Sequence, residues 1–143
     1  MKQNIINISG FEVSNIHPFF LIAGPCSIES KDHAFNHAGI INEICKKLNI
    51  NFVYKSSFDK ANRSSKNSHR GIGLEKGLNI LSDVKKEFNI PILTDVHESY
   101  QCKEIANVVD IIQIPAFLSR QTDLLTAAAA VSYTHLTLPT SVT

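Results

Sequence analysis

Lys55, Lys60 and Arg63 fall within eleven residues, KSSFDKANRSS, that also hold Ser56, Ser57, Asn62, Ser64, Ser65 and one carboxylate, Asp59. Cations offset the charge of a phosphate, and hydroxyl and amide groups donate to its oxygens. The stretch follows the apolar run Ile50 to Tyr54, so it reads as a loop leaving a buried strand. An anion site and an ordinary solvated loop share this composition, and both readings stay open at this point. Cys26, in AGPCSIES, sits just past the apolar run Phe19 to Ala23. Such a thiol is either a ligand or reactive group or a small core residue. In LTDVHES, Asp95, His97 and Glu98 offer acid–base chemistry, or a carboxylate arrangement at a helix N-terminus. Gln113 opens QIPAFLSRQTD, with Phe117, Arg120, Gln121 and Asp123 behind it. A glutamine ending an apolar strand must find hydrogen bonds for a buried amide. His17, His33, His37 and His69 lack partners at ligand spacing and read as surface residues.

The elements that would position these groups repeat. Ile5 to Ile8 and Phe11 to Val13 flank Ser9-Gly10 and predict a β-hairpin. Phe19 to Ala23 has the continuous apolar character of a strand covered on both faces. Ser30 then caps a helix over Lys31 to Leu48, whose apolar face is Ala34, Ala38, Ile41, Cys45 and Leu48. Ile50 to Tyr54, Ile90 to Leu93 and Val109 to Ile114 predict further strands. Helices are expected over Leu74 to Phe88, Glu98 to Ala106, with Cys102 and Ile105 buried, and Gln121 to Ala130.

Strand and helix alternate four times, which calls for parallel strands joined by right-handed crossovers. A doubly wound sheet would place a glycine-rich turn after its first strand. Here the glycines cluster at Gly71, Gly73 and Gly77 instead, with the wrong spacing and context. The chemistry-bearing residues fall where a (β/α)8 barrel keeps its site, at the C-terminal ends of strands. The expected class is therefore α/β, a TIM barrel of which the first four βα units are present, since a full barrel takes about 250 residues.

The 143 residues carry a net charge of +1 and are 43% hydrophobic, an ordinary balance for a globular domain that argues against general nucleic-acid binding. No apolar run reaches the roughly 20 residues of a membrane helix. Three cysteines without a CxxC pair point to a reducing cytoplasm rather than a disulfide framework. From Val131 the string VSYTHLTLPTSVT has no acid, lysine or arginine, and resembles translated sequencing-adapter read-through. Residues 1–130 are thus read as half of a barrel domain and 131–143 as a non-native tail, with a native C-terminal strand as the alternative.

Together AGPCSIES, KSSFDKANRSS, TDVHES and QIPAFLSRQTD resemble the 3-deoxy-8-phosphooctulonate synthases, in order and with compatible spacing over residues 1–130. KANRSS is the specific element; the related 3-deoxy-7-phosphoheptulonate synthases carry a different motif there. The resemblance implies condensation of phosphoenolpyruvate with arabinose 5-phosphate and release of phosphate, on the way to the Kdo sugar of lipopolysaccharide. It implies that Lys55, Ser57 and Lys60 face phosphoenolpyruvate, and that Asn62, Arg63 and Ser64 hold the pentose phosphate. Asp95 would contact sugar hydroxyls, Gln113, Ala116 and Phe117 would line the pocket floor, and Arg120 would reach a neighbouring subunit of a homotetramer. Lys60, Asp95 and His97 are the expected catalytic residues. Cys26 places the chain with the members that bind a divalent metal, whose other ligands lie on later strands. The rival readings are a related phosphoenolpyruvate-dependent synthase and a non-catalytic phosphosugar-binding module. An unclosed half-barrel leaves strand edges and helix faces uncovered, so the 143-residue chain by itself is expected to be poorly stable and inactive. Robust phosphate release by the purified chain from the two substrates would refute this.

Overall fold

Side-chain alternation along the strands sorts the core into two layers. The computed structural model describes residues 4–59, 71–131 and 135–137. Strands β1 (Ile6–Ile8) and β2 (Phe11–Val13) form the expected antiparallel hairpin. Ser9 and Gly10 both take positive φ, 38° and 109°, the backbone a two-residue turn needs to follow strand twist. A parallel sheet follows, built from β3 (Phe20–Ala23), β4 (Asn51–Lys55), β5 (Ile92–Asp95), β6 (Ile111–Gln113) and β7 (His135–Thr137). Spatial order equals chain order, so the described sheet has no switch point of the doubly wound kind.

One face of this sheet carries Phe20, Ile22, Val53, Leu93 and Ile111, and the hairpin covers it with Ile6, Ile8, Phe11 and Val13. The other carries Leu21, Ala23, Phe52, Tyr54, Ile92 and Ile112 and packs against the helices. These are α1 (Lys31–Leu48), α2 (Leu74–Phe88), α3 (Cys102–Ala106) and α4 (Thr122–Val131). Ser30 caps α1 by accepting from the His33 amide at 3.1 Å. Helices α1 and α2 end alike, each on an asparagine in the left-handed region, Asn49 and Asn89.

Several expected boundaries move. β4 and β5 run on to Lys55 and Asp95, so these polar residues belong to the sheet, while β6 is shorter than expected, Ile111–Gln113. Ladder partners set a strand's extent, and the sequence shows only its apolar stretch. The third helix opens as a 3-10 turn, Ser99–Gln101, before Cys102. Leu48 is 63% exposed, whereas Asn42 is buried. The buried sector of α1, Ala34, Ala38, Asn42 and Cys45, is turned toward Asn42 and leaves Leu48 on its flank. Cys45, Cys102 and Ile105 are buried as expected. His135–Thr137, inside the segment read as an added tail, pair in parallel with β6, Ile111 opposite His135 and Gln113 opposite Thr137.

Asp110 locks the start of β6 to β5. Its carboxylate meets Lys85 Nζ at 2.9 and 3.0 Å and accepts the Ile92 amide at 2.8 Å. Removing it would strand the Ile92 donor, half-buried beside a cation. Asp110→Ala is expected to lower stability by about 2 kcal/mol, with Asp110→Asn losing less, as read from urea unfolding.

Candidate active site

The C-terminal ends of the strands are fastened to one another beyond their formal ends. Gly24 lies so close to the Lys55 carbonyl oxygen that a Cβ there would overlap it. Ser56 Oγ donates to the Pro25 carbonyl at 2.7 Å, and the Ser56 carbonyl accepts from Thr94 Oγ1 at 2.7 Å. Ser27 and Ser57 form a parallel bridge, with the Ile28 amide donating to the Ser57 carbonyl at 2.9 Å. The Val96 amide donates to the Gln113 carbonyl at 3.0 Å. Four strand ends thus become one rigid rim.

On this rim Lys55, Asp95 and Gln113 continue the face lined by Val53, Leu93 and Ile111, because residues two apart share a side. Asp95 and Gln113 are register partners. Apolar packing deeper in the sheet therefore gives way to a polar layer at its C-terminal end, all three residues half-buried.

Asp95 and His97 are the most developed part of the site. His97 Nε2 lies 3.4 Å from Asp95 Oδ2, and their side chains are 5% and 14% exposed. Burial pushes the Asp95 carboxyl up, but the hydrogen bond and charge of His97, with help from the Ser57 hydroxyl, outweigh it and hold the group below the usual carboxylate range. Asp95 is therefore an acceptor at neutral pH. Asp95 Oδ1 and His97 Nδ1 are buried with no hydrogen-bond partner among the described residues. Phe58 stands edge-on to the imidazole, ring centroids 5.6 Å apart at 88°.

Glu98 takes the helix-terminus role. It and Gln101 form a reciprocal capping box, and Gln101 Oε1 accepts the His97 and Glu98 amides at 3.1 Å each. The two readings of this cluster are divided between its members, Glu98 capping the turn and Asp95 pairing with His97. A cleft of about 350 Å3 opens beside His97 and is lined by Glu98, Ser99, Leu118, Gln121, Asp123 and Leu124.

The remaining expected residues fall in different places. Cys26 is exposed, and its carbonyl accepts the Ser57 amide at 3.4 Å. Ser57 is itself buried. Ala116 and Phe117 lie on a 3-10 turn, Ala116–Leu118, with Phe117 exposed, and Arg120 is exposed just after it. Lys60, Asn62, Arg63, Ser64 and His69 lie outside the described residues. His33 and His37 are half-buried, not on the open surface as expected, because their i, i+4 spacing brings the rings together, centroids 4.2 Å apart and tilted by 50°. Among the described residues no three of His, Cys, Asp and Glu are arranged to hold a metal ion. The described residues therefore do not make up a metal site.

Sequence reasoning missed Ser56, Phe58, Thr94 and Gln101. Only Gln101 left a signal, three residues after Glu98.

The family model described as "DAHP synthetase I family" matches residues 7–134. The chain belongs to the DAHP synthetase I family. Three relatives are named 2-dehydro-3-deoxyphosphooctonate aldolase. That of Rickettsia bellii is 57% identical over 128 residues, 90% of this chain and 47% of its own length. That of Bartonella henselae is 60% identical over 125 residues, 87% and 45% of the two chains. That of Aromatoleum aromaticum is 58% identical over 125 residues, again 87% and 45%. The chain spans about half the length of the curated relatives it matches. Within this DAHP synthetase I chain the match covers every strand end described above except β7.

Because Asp95 is held below its ordinary value in the folded protein, the contacts of its carboxylate with His97 and Ser57 stabilise fully above the unfolded-state pKa. That contribution is lost as pH falls through the lower folded-state value. Asp95→Asn is therefore expected to unfold more readily than the parent at neutral pH, the gap closing on acidification. A gap independent of pH in paired urea titrations would contradict the assignment.

Proposed function

We propose that the whole protein condenses phosphoenolpyruvate with arabinose 5-phosphate to give 3-deoxy-D-manno-octulosonate 8-phosphate and phosphate. The observation that carries this reading is the polar layer of Lys55, Asp95 and Gln113 on the strand ends, with KANRSS beginning five residues after Lys55 in sequence. The relatives' printed name, with its eight-carbon octonate, supports the same product. No helix among the described residues is long and apolar enough to cross a membrane. A cytoplasmic homotetramer of closed (β/α)8 barrels is part of the proposal, and the sequential strand order supports the barrel.

The chemistry needs two phosphate-bearing substrates side by side. Carbon 3 of phosphoenolpyruvate attacks the sugar aldehyde, water adds at carbon 2, and the carbon 2–phosphate bond breaks to release inorganic phosphate. Lys55 and the cations Lys60 and Arg63 offset the repulsion between substrates and raise their effective concentration, the largest gain available without covalent catalysis. Asp95, ionised at neutral pH, accepts from sugar hydroxyls and fixes the aldehyde's orientation. His97 holds that carboxylate in place. Cys26 would give one thiolate to a divalent metal, and the described residues supply no complete ligand set.

The test is phosphate release by the full-length gene product. With phosphoenolpyruvate, arabinose 5-phosphate is expected to be used at least about 100-fold better than erythrose 4-phosphate, in kcat/KM. Preference for the four-carbon sugar would favour the heptulosonate alternative, and binding without turnover the non-catalytic one. Exhaustive chelation is expected to abolish activity and a divalent metal to restore it. Full activity after chelation would remove Cys26 from the metal-binding role.

A further inference from the structure

Phe58 is 1% exposed and is placed by backbone contacts that have nothing to do with its ring. Its carbonyl accepts the Gly73 amide at 3.2 Å. A Cβ on Gly71 would overlap that same carbonyl, and one on Gly77 would overlap Phe58 Cβ. The start of α2 therefore closes on Phe58 only because three glycines stand there, two of them, Gly71 and Gly73, at positive φ of 141° and 92°. Both described ends of the segment that carries KANRSS, Asp59 and Gly71, meet at this residue. On its other side the ring stands edge-on to His97.

His97 is held from three directions. Gln101 fixes its backbone amide, Asp95 faces Nε2, and Phe58 flanks the ring. Of these, only Phe58 restrains ring rotation without a polar bond, by shape and by the edge-to-face preference of aromatic pairs. A 3.4 Å separation between His97 and Asp95 is at the long end for a hydrogen bond, so the pair depends on what packs behind the imidazole.

We propose that Phe58 is a positioning residue, fixing the His97 imidazole against Asp95 and tying that pair to both ends of the segment between β4 and α2. The proposal rests on the reading of Asp95 as a sugar-binding carboxylate, but its geometry does not. The Phe58→Leu variant keeps an apolar side chain there, and Phe58→Met is the fallback if Leu fails to fold.

The experiment is a double-mutant cycle between Phe58→Leu and His97→Asn in the full-length gene product. With His97 present, Phe58→Leu is expected to lower kcat about 10-fold, with the KM for phosphoenolpyruvate changed less than about two-fold; with His97→Asn it should cost less than about two-fold. Equal losses in both backgrounds, or no loss in either, would overturn the proposal, since a role that does not act through His97 costs the same with or without it. A second readout does not require turnover. In 15N-histidine-labelled protein, Phe58→Leu should shift the His97 ring resonances and leave those of His33 unmoved. Unmoved His97 resonances overturn the proposal. If the parent protein turns over neither sugar phosphate, the functional reading fails, and this second readout decides the role of Phe58 on its own.

Discussion

The Lys55 carbonyl oxygen occupies the space where residue 24 would carry a side chain, and the rim is built around that contact. Close approach of β3 and β4 at their ends lets Ser56 reach the Pro25 carbonyl and brings Ser27 opposite Ser57. The same backbone, through the Ser56 carbonyl, takes the Thr94 hydroxyl from β5. One glycine thus conditions a chain of contacts across three strands. A polar layer on a sheet edge becomes useful for binding only when its members cannot drift, and neutral hydrogen bonds of this kind contribute only about 1 kcal/mol each. Their value is geometric: they hold Lys55 and Asp95 at fixed positions on one face.

Burying Asp95 works against its own charge. The same enclosure that would favour a neutral carboxyl places His97 and Ser57 close enough to reverse the balance. Such a carboxylate is dehydrated, ionised and poised to accept, a combination water would blunt. The unpartnered Oδ1 on one member and Nδ1 on the other leave hydrogen-bonding capacity unspent among the described residues. Buried polar atoms left without partners in a native fold call for a physical reason, and a substrate hydroxyl would supply one for Oδ1.

Much of this architecture was legible in the residues. The repeating alternation of apolar runs and helical faces predicted every β/α unit up to α4, and α1 and α2 match their expected limits. Ser30, Cys45, Cys102 and the Ser9-Gly10 turn follow from local chemistry alone. Strand ends were less legible, because Lys55 and Asp95 are polar, and a ladder continues for as long as its neighbours do. Phe58 and Thr94 carried no signal: an aromatic inside a cation-rich string and a threonine in an apolar strand acquire their roles only from residues 38 or 39 positions away in sequence. Leu48 and Asn42 exchanged places because a helical face read by spacing has no knowledge of where the sheet lies beneath it.

The division of labour between strands and loop follows from their different rigidity. Lys55, Asp95 and Gln113 stand on a hydrogen-bonded sheet that fixes their positions. On the reading proposed above, choice of aldose belongs to KANRSS, which follows Phe58 and Asp59 in sequence. A loop can change length and composition without disturbing the strands when its ends are fixed, because each doubling of its length then costs only about 0.6 kcal/mol of closure entropy. Gly71, Gly73 and Gly77, packed on Phe58, provide that fixed closure. The glycine cluster that has the wrong spacing for a doubly wound sheet thus closes the start of α2 on Phe58, beside the Asp95–His97 pair.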